Sequence, residues 1–517
     1  MTLKNIIVYL MFLFYLIFGI SFLVVGSNDI FDWKSCVLSL LIVLFLGLIV
    51  KFSNSYLFVQ SVVMAIFFSL FIIPRLLTYL LIPGTINFSF GITVTSGQVN
   101  KAIFYMFIGA IFIYAGFLFA ERVFKRFMAN ARPFTSSAQY HNSVIISVFL
   151  ITIIVGWYIR HILGVSVYIN KYSGAHNWLI QSLVTIFNID TVFFMIWGAL
   201  LTRNIFDKKT FFIGFFITIV FVAIASLNGS RGGAIRADMM IFIILLCIKG
   251  NFRVVFRYAA IFLVVLLLGY MIWPFCMQKR IEVASIDRKI EAYKKIYGIT
   301  KEGAAAERRR SYRTVKPNLR GLLLYKNPQK HLSEVMNRMG VCDNEIIILS
   351  IDAEPKAKAK YMNMSYAAKN IANLILPGVV FKDAEINTSR VLPILYRAFN
   401  DEYLETGGYA SDFYTPWGIF FLIFGWWKGW LMLFAAAAGA HGAYLLTMRF
   451  SGRFRYYMGA LCVFSVSYMF FCNMGIDHWI SCSVLILVSG AISLILLESG
   501  EFIFNKIKPL INQKSLY

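Results

Sequence analysis

A short polar turn, LNGSRGGAIRAD (Leu227–Asp238), separates two strongly apolar runs and carries two arginines among three glycines. Glycine allows the backbone to approach an anion closely, and guanidinium groups can bind phosphate oxygens in a bidentate way. A helix that begins at this turn would also direct its free N–H groups and positive dipole end toward the anion. A competing interpretation is that the glycines only turn the chain while the arginines reach lipid headgroups. The predicted anion site consists of Arg231, Gly232, Gly233 and Arg236.

A second polar cluster, SRVLPILYRAFNDEYLETGGYASDFYTPWG (Ser389–Gly418), combines arginines, carboxylates and tyrosines. Basic groups beside carboxylates suit a reaction that stabilises a phosphate leaving group and removes a hydroxyl proton. Tyrosine rings can stack on sugars. A simpler interpretation is an amphipathic helix with an Arg397–Asp401 pair, which is worth roughly a few tenths of a kcal/mol. The predicted site residues are Arg390, Arg397, Glu402, Glu405 and Tyr409, with His478 of the GIDHW turn as a further candidate.

The composition of the whole chain shows where these clusters must lie. Hydrophobic residues make up 59% of the 517 residues and charged residues only 14%, with a mean hydropathy of +0.72. Soluble domains carry about a quarter charged residues. The chain is therefore predicted to be an all-α polytopic membrane protein. Its net charge of +24 does not by itself indicate a nucleic-acid partner, and none is predicted.

Apolar stretches near the length of a membrane-crossing helix, about 20 residues, recur along the chain. The tenth stretch is too long for one crossing and contains GWWKGW (Gly425–Trp430), so its first half is predicted to lie along the surface or to re-enter. The twelve predicted spans are 5–25, 34–51, 56–82, 100–120, 143–160, 179–201, 211–227, 237–249, 258–276, 416–447, 457–474 and 479–497.

Lysine and arginine in the short loops predict the orientation of these spans. With twelve crossings, the basic short loops all fall on one side, which the positive-inside rule assigns to the cytoplasm together with both termini. The turn at 227–238 and one long, mostly helical loop then lie outside. The predicted organisation is helices 1–9 in residues 1–276, a periplasmic loop in 277–415, helices 10–12 in 416–497 and a cytoplasmic tail in 498–517.

Motifs for metals and nucleotides are missing from the sequence. It contains no CxxC or HExxH motif, no histidine cluster, no P-loop and no dinucleotide fingerprint. We therefore predict neither a metal site nor a cofactor, and no reaction driven by nucleotide hydrolysis.

The layout and a few residues resemble the Wzy-type O-antigen (oligosaccharide repeat-unit) polymerase family. The similarity lies in the polytopic helices, the long outer loop before the last spans, and arginines in separate outer loops. GSRGG (Gly229–Gly233) is similar to a turn of that family, and Arg397 with Gly408 matches its Arg-x10-Gly spacing. The chain departs from the pattern in two ways: no glycine follows Arg160 at that spacing, and the large loop is long for the family.

The resemblance implies a GT-C-like glycosyltransferase at the periplasmic face of a bacterial inner membrane. The donor and acceptor would be undecaprenyl-diphosphate-linked glycans, joined without nucleotide sugar, metal or other cofactor. The arginines and Gly232–Gly233 would bind diphosphate or glycan, together with Tyr409 and His478. Glu402, Glu405 or His478 would act as the base. Expected partners are membrane lipids, a chain-length regulator and a flippase.

Three other functions remain open from the sequence. An O-antigen ligase would share the layout but transfer to lipid A core. A glycosyltransferase using polyprenyl-phosphate sugars would place carboxylates in the first outer loop, where Asp29 and Asp32 lie. A lipid-linked oligosaccharide transporter or flippase could use Asp190 and His441, because ionisable residues within membrane spans mark transport pathways.

Overall fold

The structure is a computed structural model, and its described part is built from helices, with no β-strand among the residues described. These residues are 3–54, 57–83, 93–129, 140–158, 189–202, 208–227, 240–246, 264, 267, 346–349, 351–375, 395, 416–450, 454–468 and 476–514. The helices with stated bounds are α1 (Leu3–Val25), α2 (Trp33–Phe52), α3 (Leu57–Phe67), α4 (Ile73–Leu81), α5 (Ser96–Ala129), α6 (Asn142–Trp157), α7 (Ile189–Thr202), α8 (Lys208–Leu227), α9 (Pro355–Tyr361), α10 (Met364–Ile375), α11 (Pro416–Phe450), α12 (Arg455–Cys462) and α13 (Ile476–Lys514), with π-helices at Phe68–Ile72 and Val463–Tyr468.

Five of the described helices are long and apolar enough to cross a membrane. They contain the segments Lys4–Val25, Trp33–Phe52, Ser96–Phe124, Trp417–Arg449 and Ser483–Ile507. Shorter apolar helices lie at Leu57–Phe67, Asn142–Gly156, Thr191–Leu200, Lys209–Ile224 and Tyr457–Val466. This confirms the class of an all-helical membrane protein. The number of twelve crossings, the large helical loop and the sidedness stay predictions, since much of 228–415 lies outside the described residues.

The third predicted span, 56–82, is divided by a π-helix. The α-helix α3 ends at Phe67, five π-helical residues follow, and α4 begins at Ile73 with a proline in its first turn. Pro74 has no N–H and cannot donate the usual bond to the carbonyl four residues earlier. A single wide turn before a proline can absorb this mismatch. Apolar length alone could not reveal this break.

The chain forms two compact units, and the first comprises residues 1–135, 329–455 and 462–484. Its α1 and α2 form an antiparallel pair, in which Lys4 Nζ donates to the Ser53 carbonyl at 2.8 Å. Its broadest helix contact joins α5 and α11, where Gly116 packs against the Phe434 backbone and Ala437. A larger residue at Gly116 would not fit, so the missing side chain permits the close approach of the two helices.

The second unit comprises residues 136–328, 456–461 and 485–517. Trp197 of α7 donates through Nε1 to Thr218 Oγ1 of α8 at 3.1 Å, and Phe193 stacks on Phe221 with ring centroids 4.2 Å apart. Tyr140 OH donates to Glu498 Oε1 of α13 at 2.9 Å. Helix α13 reaches Lys514, so the expected tail at 498–517 is helical for most of its length.

Candidate functional site

The two predicted polar clusters cannot be placed in the structure. His478 lies in the first turn of α13, so its backbone belongs to a helix where the sequence predicted a turn. The other predicted site residues lie outside the described residues: Arg231, Gly232, Gly233, Arg236, Arg390, Arg397, Glu402, Glu405 and Tyr409. Their grouping into an anion site and a carboxylate site stays a prediction.

Asp32, a carboxylate of the first predicted outer loop, caps a helix. Its Oδ1 accepts from the Ser35 N–H at 2.9 Å at the start of α2, and Asn100 Nδ2 of α5 donates to Oδ1 and Oδ2 at 3.1 and 2.9 Å. Burial tends to raise the pKa of Asp32, but these hydrogen bonds and one from the Lys34 N–H outweigh it and hold the pKa below the usual 3.8. The carboxylate therefore ties α2 to α5, which is a structural role.

The long segment α11 contains a sharp reversal at Gly425. This residue has φ 75° and ψ −164°, a backbone conformation that essentially only glycine adopts. It divides α11 into a half-helix at residues 416–424 and a longer helix at 426–450. The expected break in the tenth predicted span is confirmed.

Contacts on both sides of Gly425 show that the half-helix runs back along the longer helix. The Phe421 and Trp426 rings lie 5.6 Å apart, and a Cβ at Gly429 would lie 3.3 Å from the Phe420 carbonyl oxygen. Farther from the turn, Trp417 and Leu433 both contact Gly109 of α5. A Cβ added at Gly109 would lie 3.5 Å from the Trp417 ring and 3.2 Å from the Leu433 side chain. The half-helix at 416–424 thus forms a hairpin with the longer helix, which favours re-entry over a surface position for the first half; we call it the re-entrant hairpin.

The turn of the hairpin is surrounded by aromatic rings. Tyr105 of α5 lies 5.3 Å from Phe421, 5.2 Å from Trp426 and 5.4 Å from Trp430, and Trp430 Nε1 donates to the Tyr105 carbonyl at 3.3 Å. Lys101 Nζ lies 5.5 Å from the centre of the Trp426 ring. Tryptophan, tyrosine and lysine are enriched where a membrane meets water. We call this group (Lys101, Tyr105, Phe421, Trp426 and Trp430) the aromatic layer; its composition is typical of a membrane–water interface.

Arg75 of α4 is a buried cation that the sequence interpretation did not single out. Its side chain is 1% exposed, and its guanidinium lies 5.6 Å from the centre of the Tyr79 ring. The carbonyls of Tyr79 and Leu80 near the end of α4 accept from Asn28 Nδ2 at 3.0 and 3.3 Å. An arginine inside an apolar span marks a functional position by default. Its presence in FIIPRLLTYL was the signal in the sequence.

His441 of α11 is a further buried ionisable residue of the first unit. It is 0% exposed, lies between the Phe117 and Tyr444 rings, and neither ring nitrogen has a hydrogen-bond partner among the described residues. Gln60 and Ser61 of α3 are equally buried, and their side chains likewise lack a partner within the described part of the chain. Asp190, the other residue suggested for a carrier, has its backbone in α7 of the second unit.

Among the described residues, no group of three or more His, Cys, Asp or Glu side chains could hold a metal ion. Comparisons with protein-family models, curated proteins and solved structures gave no match to this chain.

Proposed function

We propose that the protein polymerises undecaprenyl-diphosphate-linked oligosaccharide repeat units into a surface polysaccharide at the periplasmic face of a bacterial inner membrane. An acceptor hydroxyl attacks the anomeric carbon of the donor glycan, and the bond from that carbon to the diphosphate oxygen breaks. Glu402 or Glu405 takes the hydroxyl proton, and the electron pair leaves with polyprenyl diphosphate. Arg231, Arg236, Arg390 and Arg397 stabilise the developing negative charge, with the glycan held by Tyr409 and His478.

The observation that carries this proposal is the re-entrant hairpin. The predicted carboxylate and arginine cluster, Ser389–Thr415, joins the half-helix directly at Pro416. Residues 417–424 of that half-helix are largely buried beside the aromatic layer, with Trp417 only 2% exposed. With the aromatic layer at the membrane–water interface, as its composition favours, the chain that follows the cluster would be anchored close to that level. A lipid-linked sugar diphosphate presents its scissile bond at this level, which suits transfer between two membrane-anchored substrates.

The role of Asp32 disfavours the polyprenyl-phosphate glycosyltransferase. That reaction needs a carboxylate of the first outer loop to face the substrate. The Asp32 carboxylate instead bonds to Ser35 and Asn100 within the first unit. A catalytic base engaged by several strong donors is a poor proton acceptor, because hydrogen bonds to the charged form stabilise it.

A transporter or flippase of lipid-linked oligosaccharides is the second candidate, and His441 favours it. A fully buried imidazole whose nitrogens bond to no described residue is costly, and such groups persist in membrane proteins where they serve a pathway. The two functions make different demands: a carrier depends on His441, whereas a polymerase depends on Arg397 and the carboxylates after it.

The test is the length of surface glycan in cells whose only copy of the protein carries a substitution. Arg397→Ala, and one of Glu402→Gln and Glu405→Gln, should reduce the glycan ladder to a single repeat, because losing one transition-state donor costs about 100-fold in rate. Lys356→Ala is the matched control, since this exposed lysine on α9 lies in the same predicted loop. Normal ladders from Arg397→Ala and both glutamine variants, at normal protein levels, would refute the proposal.

A further inference from the structure

The N-terminal end of the re-entrant half-helix lies in a buried place. The first N–H groups of any helix have no partner within the helix. Here the first residue, Pro416, has no N–H, and the turn that follows is buried, with Trp417 2%, Ile419 0% and Phe420 1% exposed. The N-terminal end of a helix also carries a positive partial charge of about half a unit.

The indole N–H of Trp417 is a second, independent donor at this end. Its Nε1 is buried and has no hydrogen-bond partner among the described residues. The edge of the Trp417 indole that packs on Gly109 of α5 is formed by Cε3 and Cζ3. These atoms would lie 3.5 and 3.6 Å from a Cβ added at Gly109. Nε1 belongs to the five-membered ring on the other side of the indole, so the N–H is directed away from α5. The Phe68 ring covers the indole at 5.4 Å.

The direction of helical side chains brings the indole to the helix end. The Cα–Cβ bonds of an α-helix tilt toward its N-terminus, so a residue covers the turn before its own. Trp417 is the second residue of the half-helix, so this tilt directs its side chain toward the first turn of that helix. Its contact at Gly109 is four residues from Tyr105, which places it about one helical turn, or 6 Å, from the aromatic layer.

We propose that the N-terminus of the half-helix and Trp417 Nε1 together bind a phosphate group of a lipid-linked substrate. The Trp417 indole N–H is a donor beside a helix end of positive potential, which selects an acceptor with negative charge. A position one turn from the interfacial aromatic rings is within reach of the phosphate of a polyprenyl lipid. This assignment rests on the proposed function and deepens it: a polymerase handles two polyprenyl diphosphates, and this site holds one of them.

The experiment measures binding of undecaprenyl diphosphate to the full-length protein in phosphatidylcholine nanodiscs. The compared variants are Trp417→Phe, which removes the N–H but keeps a ring against Phe68 and Gly109, and Trp427→Phe, a control on the same hairpin that is 74% exposed. Trp417→Phe should weaken binding about 10-fold or more, because hydrogen bonds to charged groups are among the stronger ones. Trp427→Phe should bind as the wild type does.

Two comparison probes define the chemistry. Undecaprenol, which lacks the charge, should bind both variants equally. If Trp417→Phe loses as much affinity for undecaprenol as for undecaprenyl diphosphate, the effect comes from packing and the proposal is overturned. Inorganic diphosphate that competes in a Trp417-dependent way would support the site and show that the headgroup alone is sufficient. If undecaprenyl diphosphate binds but inorganic diphosphate does not compete with it, the result would support a site that also needs the lipid chain.

A measurement on the wild-type protein keeps the test independent of folding in the variant. The indole ¹⁵N–H signal of Trp417 should shift on addition of undecaprenyl diphosphate, and an unmoved signal at saturation would overturn the proposal. Undiminished binding by Trp417→Phe would overturn it as well. None of these readouts involves glycan transfer, so the site and the polymerase function can fail separately.

Discussion

Replacing Gly425 by alanine should destabilise the first unit through the turn of the re-entrant hairpin. At φ 75° and ψ −164° a Cβ clashes with the backbone, which costs about 1–3 kcal/mol. Space around the residue does not limit the substitution, since no atom outside its chain neighbours lies within 4 Å of an added Cβ. The entire cost is therefore conformational.

Gly439→Ala provides a matched control in the same element. Gly439 lies within the longer helix of α11, an added Cβ there also meets no atom within 4 Å, and its backbone is helical. Alanine should stabilise this position by about 0.5–1 kcal/mol, because glycine is the poorer helix former. The two variants, each a change from glycine to alanine, should therefore move the free energy of unfolding in opposite directions.

The assay is equilibrium unfolding of the purified protein in detergent, monitored by circular dichroism and by tryptophan fluorescence from the aromatic layer. Gly425→Ala should shift the midpoint down and Gly439→Ala up, with the two separated by about 1.5–4 kcal/mol. A Gly425→Ala variant as stable as the wild type would refute the turn, because residues 416–426 would then not reverse direction there.

Three further predictions concern single side chains. Asp32→Ala should lower stability by about 0.5–2 kcal/mol through loss of the α2 cap. Because the pKa of Asp32 is below 3.8 in the folded protein, the wild type should be more stable than the variant above pH 3.8, and this advantage should vanish as the pH falls through the folded-state pKa. A stability difference that persists below that pKa would contradict the capping role. His441→Leu should raise stability by about 1–3 kcal/mol, since it removes buried ring nitrogens that have no hydrogen-bond partner among the described residues. Glycan length should stay unchanged in this variant if the protein is a polymerase. Arg231→Ala or Arg236→Ala should abolish growth of the glycan chain while membrane insertion stays normal. Lysine at either position should rescue poorly because it lacks the guanidinium fork. Normal polymer from both alanine variants would exclude the anion site.

Membrane class and the rough positions of many helices could be predicted from apolar length, but their ends could not. Predicted span 100–120 lies within α5, which continues to Ala129 through ERVFKRFMA, and predicted span 479–497 lies within α13. Hydropathy detects the part of a helix that avoids water. Charged residues such as Lys and Arg are good helix formers, so a helix can continue beyond the membrane without an apolar signal.

The interior breaks of helices were only partly predictable. The interfacial composition of GWWKGW indicated that the first half of the tenth span lies along the surface or re-enters, and the structure breaks the helix at Gly425. The π-helix before Pro74 carried only the proline as a signal. The direction of the half-helix depends on contacts with Gly109 and Tyr105, which are distant in sequence.

Residue type alone did not separate structural from functional polar residues. Asp32 was singled out as a carboxylate for chemistry and is a helix cap, because a short side chain before a helix can reach its free N–H groups. Arg75 and Trp417 were not singled out, since one lies in an otherwise ordinary apolar span and the other is an aromatic residue in an aromatic run. Burial, and for Trp417 the lack of a partner among the described residues, are properties of the folded chain.

The most direct test of the proposed polymerase is a reaction of the purified protein with undecaprenyl-diphosphate-linked repeat units and no nucleotide. The account predicts a ladder of lipid-linked glycans that grows with time and releases one undecaprenyl diphosphate for each repeat added. The absence of glycan transfer from protein that is folded and binds the substrate, or transfer only to added lipid A core, would contradict it; the latter result would identify a ligase.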